Sequence, residues 1–147
     1  MSEHVAAISW SRGEHEFTYQ TYSRDHEWRF DNGVTVPGSA NPVYLGNEAR
    51  VDPEEAFVAA LSSCHMLTFL AIAAKKRLVV DSYVDRAVGV MEKNEAGRIA
   101  ITRVTLHPAI TFAGETPDEA TLERMHHLSH QECFIANSVT TEVLVEK

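Results

Sequence analysis

Apolar and polar residues alternate in short runs over the N-terminal part of the chain, as they do in half-buried β-strands. The pattern predicts strands at residues 4–11, 16–22 and 28–36. Alternation is clearest in the second run, where polar residues flank Phe17 and Tyr19. Asp31-Asn32-Gly33 interrupts the third run with a strong turn signal. We therefore expect an antiparallel meander, followed by a loop over residues 37–50.

The longest apolar segment has the features of a helix that is buried on most sides. Asp52 is a good N-cap, Pro53 suits the first helical position, and Glu55 completes a capping box. The helix is expected to run to about Arg77, with basic residues complementing its negative C-terminal end. Apolar residues cover nearly its whole circumference, so it needs protein around it. Since a chain of 147 residues surrounds such a helix poorly, we expect its burial at a homodimer interface.

The C-terminal half combines further strands with a second, more polar helix. Strand patterns cover residues 79–93 and 98–112, and the Asn-Glu-Ala-Gly sequence at 94–97 predicts a hairpin between them. The capping signal recurs at Thr116, where a helix is expected to start and to run to about Glu132. Residues 138–146 alternate as a closing strand. This order of elements indicates a single α+β domain over residues 1–147.

Composition and charge exclude several classes of function. Hydrophobic residues form 44% of the chain and charged residues 23%, which is typical of a folded globular protein. The formal charge of -8 argues against nucleic-acid and anionic-membrane partners, since both attract clustered Lys and Arg. The N-terminus lacks the regions of a signal peptide, and polar residues interrupt the apolar segment at 56–74, which favours a core helix over a membrane span. We expect a cytoplasmic protein.

Two cysteines, Cys64 and Cys133, are the first candidates for chemistry, because cysteines in a reducing cytosol are more often catalytic or metal-binding than structural. A free thiol has a pKa near ~8.5, so a reactive cysteine needs a group that stabilises its thiolate. Cys64 lies beyond the reach of its helix macrodipole, and the adjacent His65 does not face it. The candidate cations are Arg24, Arg29 and Arg50. The alternative is that Cys64 serves as a small buried hydrophobe.

A histidine-rich helix end offers a competing interpretation. His126 and His130 share a helix face, and Cys133 follows three residues further on. Two histidines and a cysteine are adequate zinc ligands, although the pattern lacks the Glu of the metalloprotease motif. Histidines on helix surfaces are more often solvated than bound to metal. Glu54 and Glu55 can likewise be interpreted as paired carboxylates, but helix capping accounts for Glu55.

Four motifs give the chain a resemblance to a known family. They are Asn41-Pro42, residues 51–65 with Pro53-Glu54 ahead of Cys64, residues 101–106, and residues 133–138 beginning at Cys133. Over nearly its whole length the chain resembles the OsmC/Ohr family, which comprises osmotically induced protein C and the organic hydroperoxide resistance proteins. The resemblance implies an OsmC-like fold, with antiparallel sheets packed around a long central Cys-bearing helix in an intertwined homodimer.

The resemblance also implies a function, that of a thiol peroxidase acting on organic hydroperoxides. By that analogy Cys64 is the nucleophile that becomes a sulfenic acid, and Cys133 condenses with it to a disulfide. An external dithiol, of lipoyl type in the organic hydroperoxide branch, then reduces the disulfide, and no bound cofactor or metal is implied. Glu54 matches the family's Glu. Arg24 is matched to the family's Arg because Arg24-Asp25 followed by Gly33 resembles the spacing in that branch, and Glu54 would hold its guanidinium bidentately.

The positions of Glu54 and Cys64 set a geometric condition on such a site. Ten residues of straight helix separate them by about 15 Å, so either the helix breaks or two subunits contribute to one site. His65 stands where many members have Phe, and Phe134 stands where many have Pro, which bears on substrate preference. The alternative function is a non-catalytic module that holds a small apolar or thiol ligand.

Overall fold

Over residues 1–146, which a computed structural model describes, the chain forms eight strands and two long helices. The strands are β1 (Ala6–Ser9), β2 (His26–Phe30), β3 (Thr35–Gly38), β4 (Val79–Asp85), β5 (Val88–Lys93), β6 (Ile99–Leu106), β7 (Pro108–Ala113) and β8 (Glu142–Val145). The helices are α1 (Pro53–Lys75) and α2 (Glu119–Glu132), with short 3₁₀ helices at Pro42–Tyr44 and Ala136–Ser138. The elements divide between two compact units, Met1–Ala56 and the remainder from Phe57 onwards.

The first unit contains an antiparallel sheet in the order β1-β2-β3. The predicted turn joins β2 to β3, where the Phe30 N–H donates to the Val34 carbonyl at 2.9 Å. Gly33 takes a φ of 87° there, a conformation that glycine adopts without a steric cost. Asn32 supports the turn by accepting a hydrogen bond from the Val34 N–H at 3.0 Å. The hairpin expected from Asp31-Asn32-Gly33 is therefore confirmed.

The strand predicted at residues 16–22 is wrong, because this segment forms turns instead. The Thr21 hydroxyl donates to the Glu16 carbonyl at 2.7 Å, and the Tyr22 N–H donates to the Thr18 carbonyl at 3.1 Å. The alternating aromatic residues do not face a sheet but pack on one another, with the Phe17 and Tyr22 ring centroids 5.1 Å apart. Local side-chain hydrogen bonds thus outweigh the strand propensity of this segment.

Helix α1 begins as its sequence predicts. The Glu55 N–H donates to Asp52 Oδ1 at 2.8 Å, and Glu55 Oε1 accepts from the Asp52 N–H at 3.1 Å, which completes the capping box. The helix ends at Lys75, slightly before the expected Arg77. Arg77 has a φ of 61°, in the left-handed region common just after helices, and the Leu78 N–H caps the Ala73 carbonyl at 2.9 Å.

The second unit holds two sheets, one of β4 and β7 and the other in the order β5-β6-β8. The hairpin predicted at residues 94–97 joins β5 to β6. The strand predicted at residues 79–93 is divided into β4 and β5, and the strand predicted at residues 98–112 is divided into β6 and β7. Asp85, at the end of β4, accepts a hydrogen bond from the N–H of His107, which lies between β6 and β7, at 2.6 Å. The β6–β8 pair is parallel, which departs from a wholly antiparallel arrangement.

Helix α2 starts at Glu119 and ends, as predicted, at Glu132. Its N-cap is Asp118 rather than Thr116, because the Asp118 side chain accepts the Thr121 N–H at 2.8 Å. The hydrogen bonds from Thr121 also hold the pKa of the Asp118 carboxyl below its usual value. The capping signal therefore predicted the helix correctly but placed its start too early.

Two hydrophobic clusters form along α1 in the second unit. In the first, Leu61 packs with Val104 and Leu106 of β6. In the second, Phe69 and Ala73 pack with Met125 of α2. The helix comes so close to β5 that a Cβ atom on Gly89 would lie 2.6 Å from Val58 Cγ2. The Cys-bearing helix is thus a core element of this unit.

Only one stripe of α1 is buried within the single chain. The buried residues are Leu61, His65, Phe69 and Ala73, at a spacing of four. The exposed stripe is Ala59, Ser63, Leu67 and Ala71, and Leu67 is 63% exposed. By length and composition alone, with a mean hydropathy of 1.9, α1 is the one helix of residues 1–146 that would suit a membrane span. Its packing into both clusters is that of a core helix.

Candidate thiol site

Cys64 lies in the middle of α1, beside the buried stripe and half-buried itself. Leu61, one turn earlier, fixes this part of the helix in the core. The Thr68 hydroxyl donates to the Cys64 carbonyl at 2.9 Å, a local bond within the helix. Cys64 is therefore a partly exposed residue of a core helix.

Cys133 is the C-cap of α2 and is almost completely buried, with 1% of its surface exposed. Its backbone leaves the helix in an extended conformation, and the chain turns at once into the 3₁₀ helix Ala136–Ser138. The Ala136 N–H donates to Cys133 Sγ at 3.4 Å. Ile135 and Ala136 in turn pack against the hydrophobic cluster to which Leu61 of α1 belongs, so the segment after Cys133 is anchored on the core of this unit.

The structure brings the two free cysteines together. Burial raises the pKa of the Cys133 thiol, the Ala136 N–H opposes the shift, and a hydrogen bond with the Cys64 thiol raises the pKa further. The thiols of Cys64 and Cys133 are therefore close enough to interact. Two thiols that approach each other are candidates for disulfide formation.

The predicted zinc ligands have partners on α1 instead of a shared metal site. Cys133 lies near Cys64, and His126 Nδ1 lies 3.0 Å from His65 Nε2. Within residues 1–146, no group of three or more His, Cys, Asp and Glu side chains is arranged as a metal site. The described residues therefore give the zinc interpretation no geometric support.

His65 is a buried histidine beside Cys64 whose burial the sequence did not lead us to expect. The residue is 1% exposed, and its ring lies nearly parallel to that of His126, with an interplanar angle of 8° and the centroids 5.3 Å apart. Burial, followed by the nearby His126 and His130, lowers the pKa of His65 to about 4, and Asp85 opposes the shift. A signal was available: His65 stands four residues from both Leu61 and Phe69, on the stripe most certain to face the core. A buried histidine needs a hydrogen-bond partner from another element.

Arg24 and Glu54 lie in the first unit, where both line a pocket of about 560 Å³. Aromatic side chains form much of its wall, among them Trp10 and Phe17. The Arg24 guanidinium sits 3.6 Å from the centroid of the Tyr22 ring and donates to the Tyr22 carbonyl at 2.6 Å. Among the described residues Arg24 forms no ion pair with Glu54, so the bidentate contact between them stays a prediction.

The other candidate cations are engaged elsewhere or point to solvent. Arg50 forms ion pairs with Asp25 at 3.4 Å and Glu27 at 3.6 Å and donates to the His26 carbonyl at 3.0 Å. Arg29 is exposed on β2, the central strand of its sheet. Of the three arginines, only Arg24 lines the aromatic pocket.

The second unit has a pocket of its own, of about 800 Å³. Its apolar walls come from β7, α2 and β8, including Phe112, Leu122 and Val143. Polar groups of α2 border it, including His126 and Glu123. The volume lies in the range typical of small-molecule sites, roughly 300–1,000 Å³.

Residues 46–146 match the model of the family described as OsmC-like protein. The chain belongs to the OsmC-like family, and its fold is the α+β fold that the sequence resemblance implied. No curated protein matches the chain.

Solved structures agree with this assignment. The chain is 54% identical to an OsmC-like protein of unknown function from Vibrio cholerae, with 99% of each chain covered and a TM-score of 0.95. An organic hydroperoxide resistance protein from Elizabethkingia anophelis is 18% identical, with 99% of this chain and 93% of that chain covered and a TM-score of 0.73. OhrB of Bacillus subtilis, another organic hydroperoxide resistance protein, is 16% identical over 99% of this chain and 97% of that chain, with a TM-score of 0.70. The two distant structures share the fold.

Proposed function

We propose that the protein is a cysteine-based thiol peroxidase that reduces organic hydroperoxides. The observation that carries the proposal is the contact between Cys64 and Cys133, the two cysteines of the chain, both of them free. A half-exposed thiol beside a fully buried one is the arrangement that a nucleophile and its resolving partner require. Family membership supports the proposal, as do the organic hydroperoxide resistance proteins that share the fold.

The proposed reaction uses both sulfurs in turn. The Cys64 thiolate attacks one oxygen of the hydroperoxide, the O–O bond breaks, and the alkoxide takes up a proton and leaves as an alcohol. Cys133 sulfur then attacks the Cys64 sulfenic acid, an S–S bond forms, and the hydroxyl leaves as water with the Cys133 proton. An external dithiol, of lipoyl type by the resemblance, reduces the disulfide and is itself oxidised to a disulfide.

The roles proposed for Arg24 and Glu54 are those that the resemblance implies. A guanidinium stabilises the Cys64 thiolate and the developing alkoxide, and a carboxylate orients the guanidinium. Their shared place in one aromatic-lined pocket supports the pairing, and aromatic walls suit the organic part of a hydroperoxide. The proposed setting is the cytoplasm, whose reducing conditions regenerate such a disulfide.

The test of the proposal is hydroperoxide consumption by three proteins in the presence of dithiothreitol: the wild type, Cys64→Ser and Cys133→Ser. We expect Cys64→Ser to lose all turnover, because it removes the sulfur that attacks the O–O bond. Cys133→Ser keeps a first turnover, since its Cys64 still forms the sulfenic acid. Full activity of Cys64→Ser would eliminate the proposal.

We further propose that two chains form a homodimer through α1. The exposed stripe Ala59, Ser63, Leu67 and Ala71 supports this, because its mostly small side chains allow another helix to approach closely. Analytical ultracentrifugation of Leu67→Glu should show a monomer, since the buried charge would have no partner. Leu128→Glu is the matched control, because Leu128 is 39% exposed on α2, outside the stripe. A wild-type protein that sediments as a monomer would contradict the dimer.

A non-catalytic ligand-binding protein is the second candidate function. The pocket of about 800 Å³ in the second unit favours it, because its exposed wall area is mainly apolar and polar side chains of α2 border it. This alternative requires that wild-type protein binds a small apolar compound in calorimetry and consumes no hydroperoxide. Turnover that depends on Cys64 would reject it as the main function.

A further inference from the structure

The His65–His126 pair joins the two helices that carry the cysteines. His65 directly follows Cys64 on α1, and His126 lies on α2, the helix that Cys133 caps. Their ring nitrogens are 3.0 Å apart. Phe69 also stacks on His126, with the ring centroids 4.6 Å apart and the planes at 27°. The His126 ring is therefore held by α1 through one directional bond and one stacking contact.

His126 and Cys133 are seven residues apart, which places them on the same face of α2 about two turns from each other. A bond that fixes His126 against α1 therefore fixes the axial position and the rotation of the helix end that carries Cys133. The second anchor of this end is the apolar packing of Ile135 and Ala136 against the cluster that contains Leu61. Apolar contacts are not directional, so the histidine pair is the element that sets the register between the helices.

The burial of His65 indicates which of the two histidines donates the hydrogen bond and which accepts it. His65 Nδ1 is buried without a hydrogen-bond partner. A buried N–H without a partner is rarer in proteins than a buried acceptor without one. The proton of His65 therefore lies on Nε2, which donates to His126 Nδ1. His65 is neutral in this arrangement, and the donor is directed along the line that connects the two helices.

Positional control matters here because Cys133 is poorly ionised. Burial raises the pKa of its thiol, so its reactivity cannot come from a preformed thiolate. The reactivity of Cys133 must then come from its proximity to Cys64, since a thiol held at the attacking distance has a high effective concentration. A small displacement of the α2 end would remove most of that advantage.

We propose that His65 and His126 form a positioning clasp that holds Cys133 at Cys64 and so sets how readily the Cys64–Cys133 disulfide forms. The role of that disulfide in turnover rests on the proposed function. The clasp itself does not, because it acts on the thiol–disulfide equilibrium of the folded chain. Neither histidine touches the hydroperoxide in this account.

The test measures that equilibrium in glutathione redox buffers, with alkylation of the free thiols and mass spectrometry as the readout. The variants are His65→Phe, which keeps an aromatic ring but removes the donor, and His65→Gln, whose amide N–H can restore it. His126→Phe removes the acceptor from the other side. His127→Phe is the matched control, because His127 is an exposed neighbour on the same helix.

We expect His65→Phe and His126→Phe to lower the effective concentration of the two thiols about tenfold, which raises the reduction potential of the disulfide by about 30 mV. His65→Gln should recover most of the wild-type value, and His127→Phe should match it. The clasp would be refuted by a wild-type equilibrium in His65→Phe, by the absence of rescue in His65→Gln, or by an equal shift in His127→Phe. If a Phe variant does not fold, His65→Gln still tests the proposal, because its disulfide must have a reduction potential close to that of the wild type.

A second arm separates the clasp from the peroxidase. With an organic hydroperoxide and dimedone as the sulfenic acid trap, His65→Phe should form the Cys64 sulfenic acid at the wild-type rate and the disulfide about tenfold more slowly. Slowing of both steps alike would overturn the positioning role. A wild-type protein that forms no sulfenic acid would instead reject the proposed function and leave the glutathione result to decide on the clasp.

Discussion

The two regions that hold the candidate site residues are built in opposite ways. Cys64 and Cys133 lie in the second unit between two hydrophobic clusters, where Cys133 is 1% exposed and both flanking helices are fixed by buried side chains. Arg24 and Glu54 lie in the first unit along an open pocket whose aromatic walls are partly exposed. The guanidinium there is held by carbonyls and a tyrosine ring of its own loop.

This difference matches the two parts of the proposed chemistry, disulfide formation and thiolate stabilisation, which need different surroundings. Disulfide formation requires two sulfurs at a fixed separation, which a packed core supplies. Stabilisation of a thiolate requires a cation beside a site that is open to substrates, which a loop arginine over an aromatic ring supplies. Apart from the cysteines themselves, substitutions in the second unit should therefore affect mainly stability and disulfide formation, and those in the first unit mainly the rate of Cys64 oxidation.

The largest effect is expected from Phe69→Ala in the core of the second unit. Phe69 is fully buried, so its truncation should lower the free energy of unfolding by about 3–5 kcal/mol. Phe17→Ala is the matched control in the pocket of the first unit, where the ring is 64% exposed, and it should cost only about 1 kcal/mol. Urea unfolding at a fixed protein concentration measures both. Equal losses would remove the distinction between the regions.

Stability of the second unit should also depend on pH through His65. Its pKa is lowered from 6.5 to about 4, by burial first and then by His126 and His130, against the opposing charge of Asp85. The unfolded chain binds the proton more tightly, so stability falls as pH falls from about 6.5 to about 4, by at most about 3 kcal/mol, and His65 adds no further loss below that range.

The comparison for this pH dependence is His65→Gln, which cannot take up the proton. Its unfolding free energy should decline less steeply than that of the wild type between pH 6.5 and pH 4. Parallel pH profiles of the two proteins would show that His65 is already protonated in the folded state or does not titrate there.

A smaller effect, and one confined to rate, is expected from Arg24→Met in the first unit. Loss of the cation should slow the oxidation of Cys64 by an organic hydroperoxide about a hundredfold, or about 2.7 kcal/mol, while the unfolding transition changes little. Arg29→Met is the matched control, since Arg29 is an exposed arginine of the same unit. Stopped-flow measurements with excess hydroperoxide give both rates. A wild-type rate in Arg24→Met would remove Arg24 from the mechanism.

Much of the fold was predictable because its signals are local. The capping residues Asp52 and Glu55 define the start of α1 by bonds within four residues, and Asp31-Asn32-Gly33 defines its hairpin in the same way. The strand prediction for residues 16–22 failed because alternation shows only that one side of a segment is more apolar than the other. It does not distinguish a sheet face from the small aromatic cluster of Phe17 and Tyr22.

The candidate site was predictable only in part, for a related reason. The resemblance supplied Cys64 and Cys133, and the contact between their thiols agrees with their proposed roles. The partner of His65 was not predictable, because His126 is distant in sequence and the helix pattern shows which side of α1 is buried but not what lies against it. The parallel β6–β8 pair escaped prediction likewise, since strand patterns do not reveal strand order.

The most direct test of the central claim is intact-protein and peptide mass spectrometry after one equivalent of an organic hydroperoxide is added to the reduced protein. The account predicts a chain lighter by two hydrogen atoms and a peptide in which Cys64 is linked to Cys133. Two free thiols that persist after the hydroperoxide has been added would contradict it.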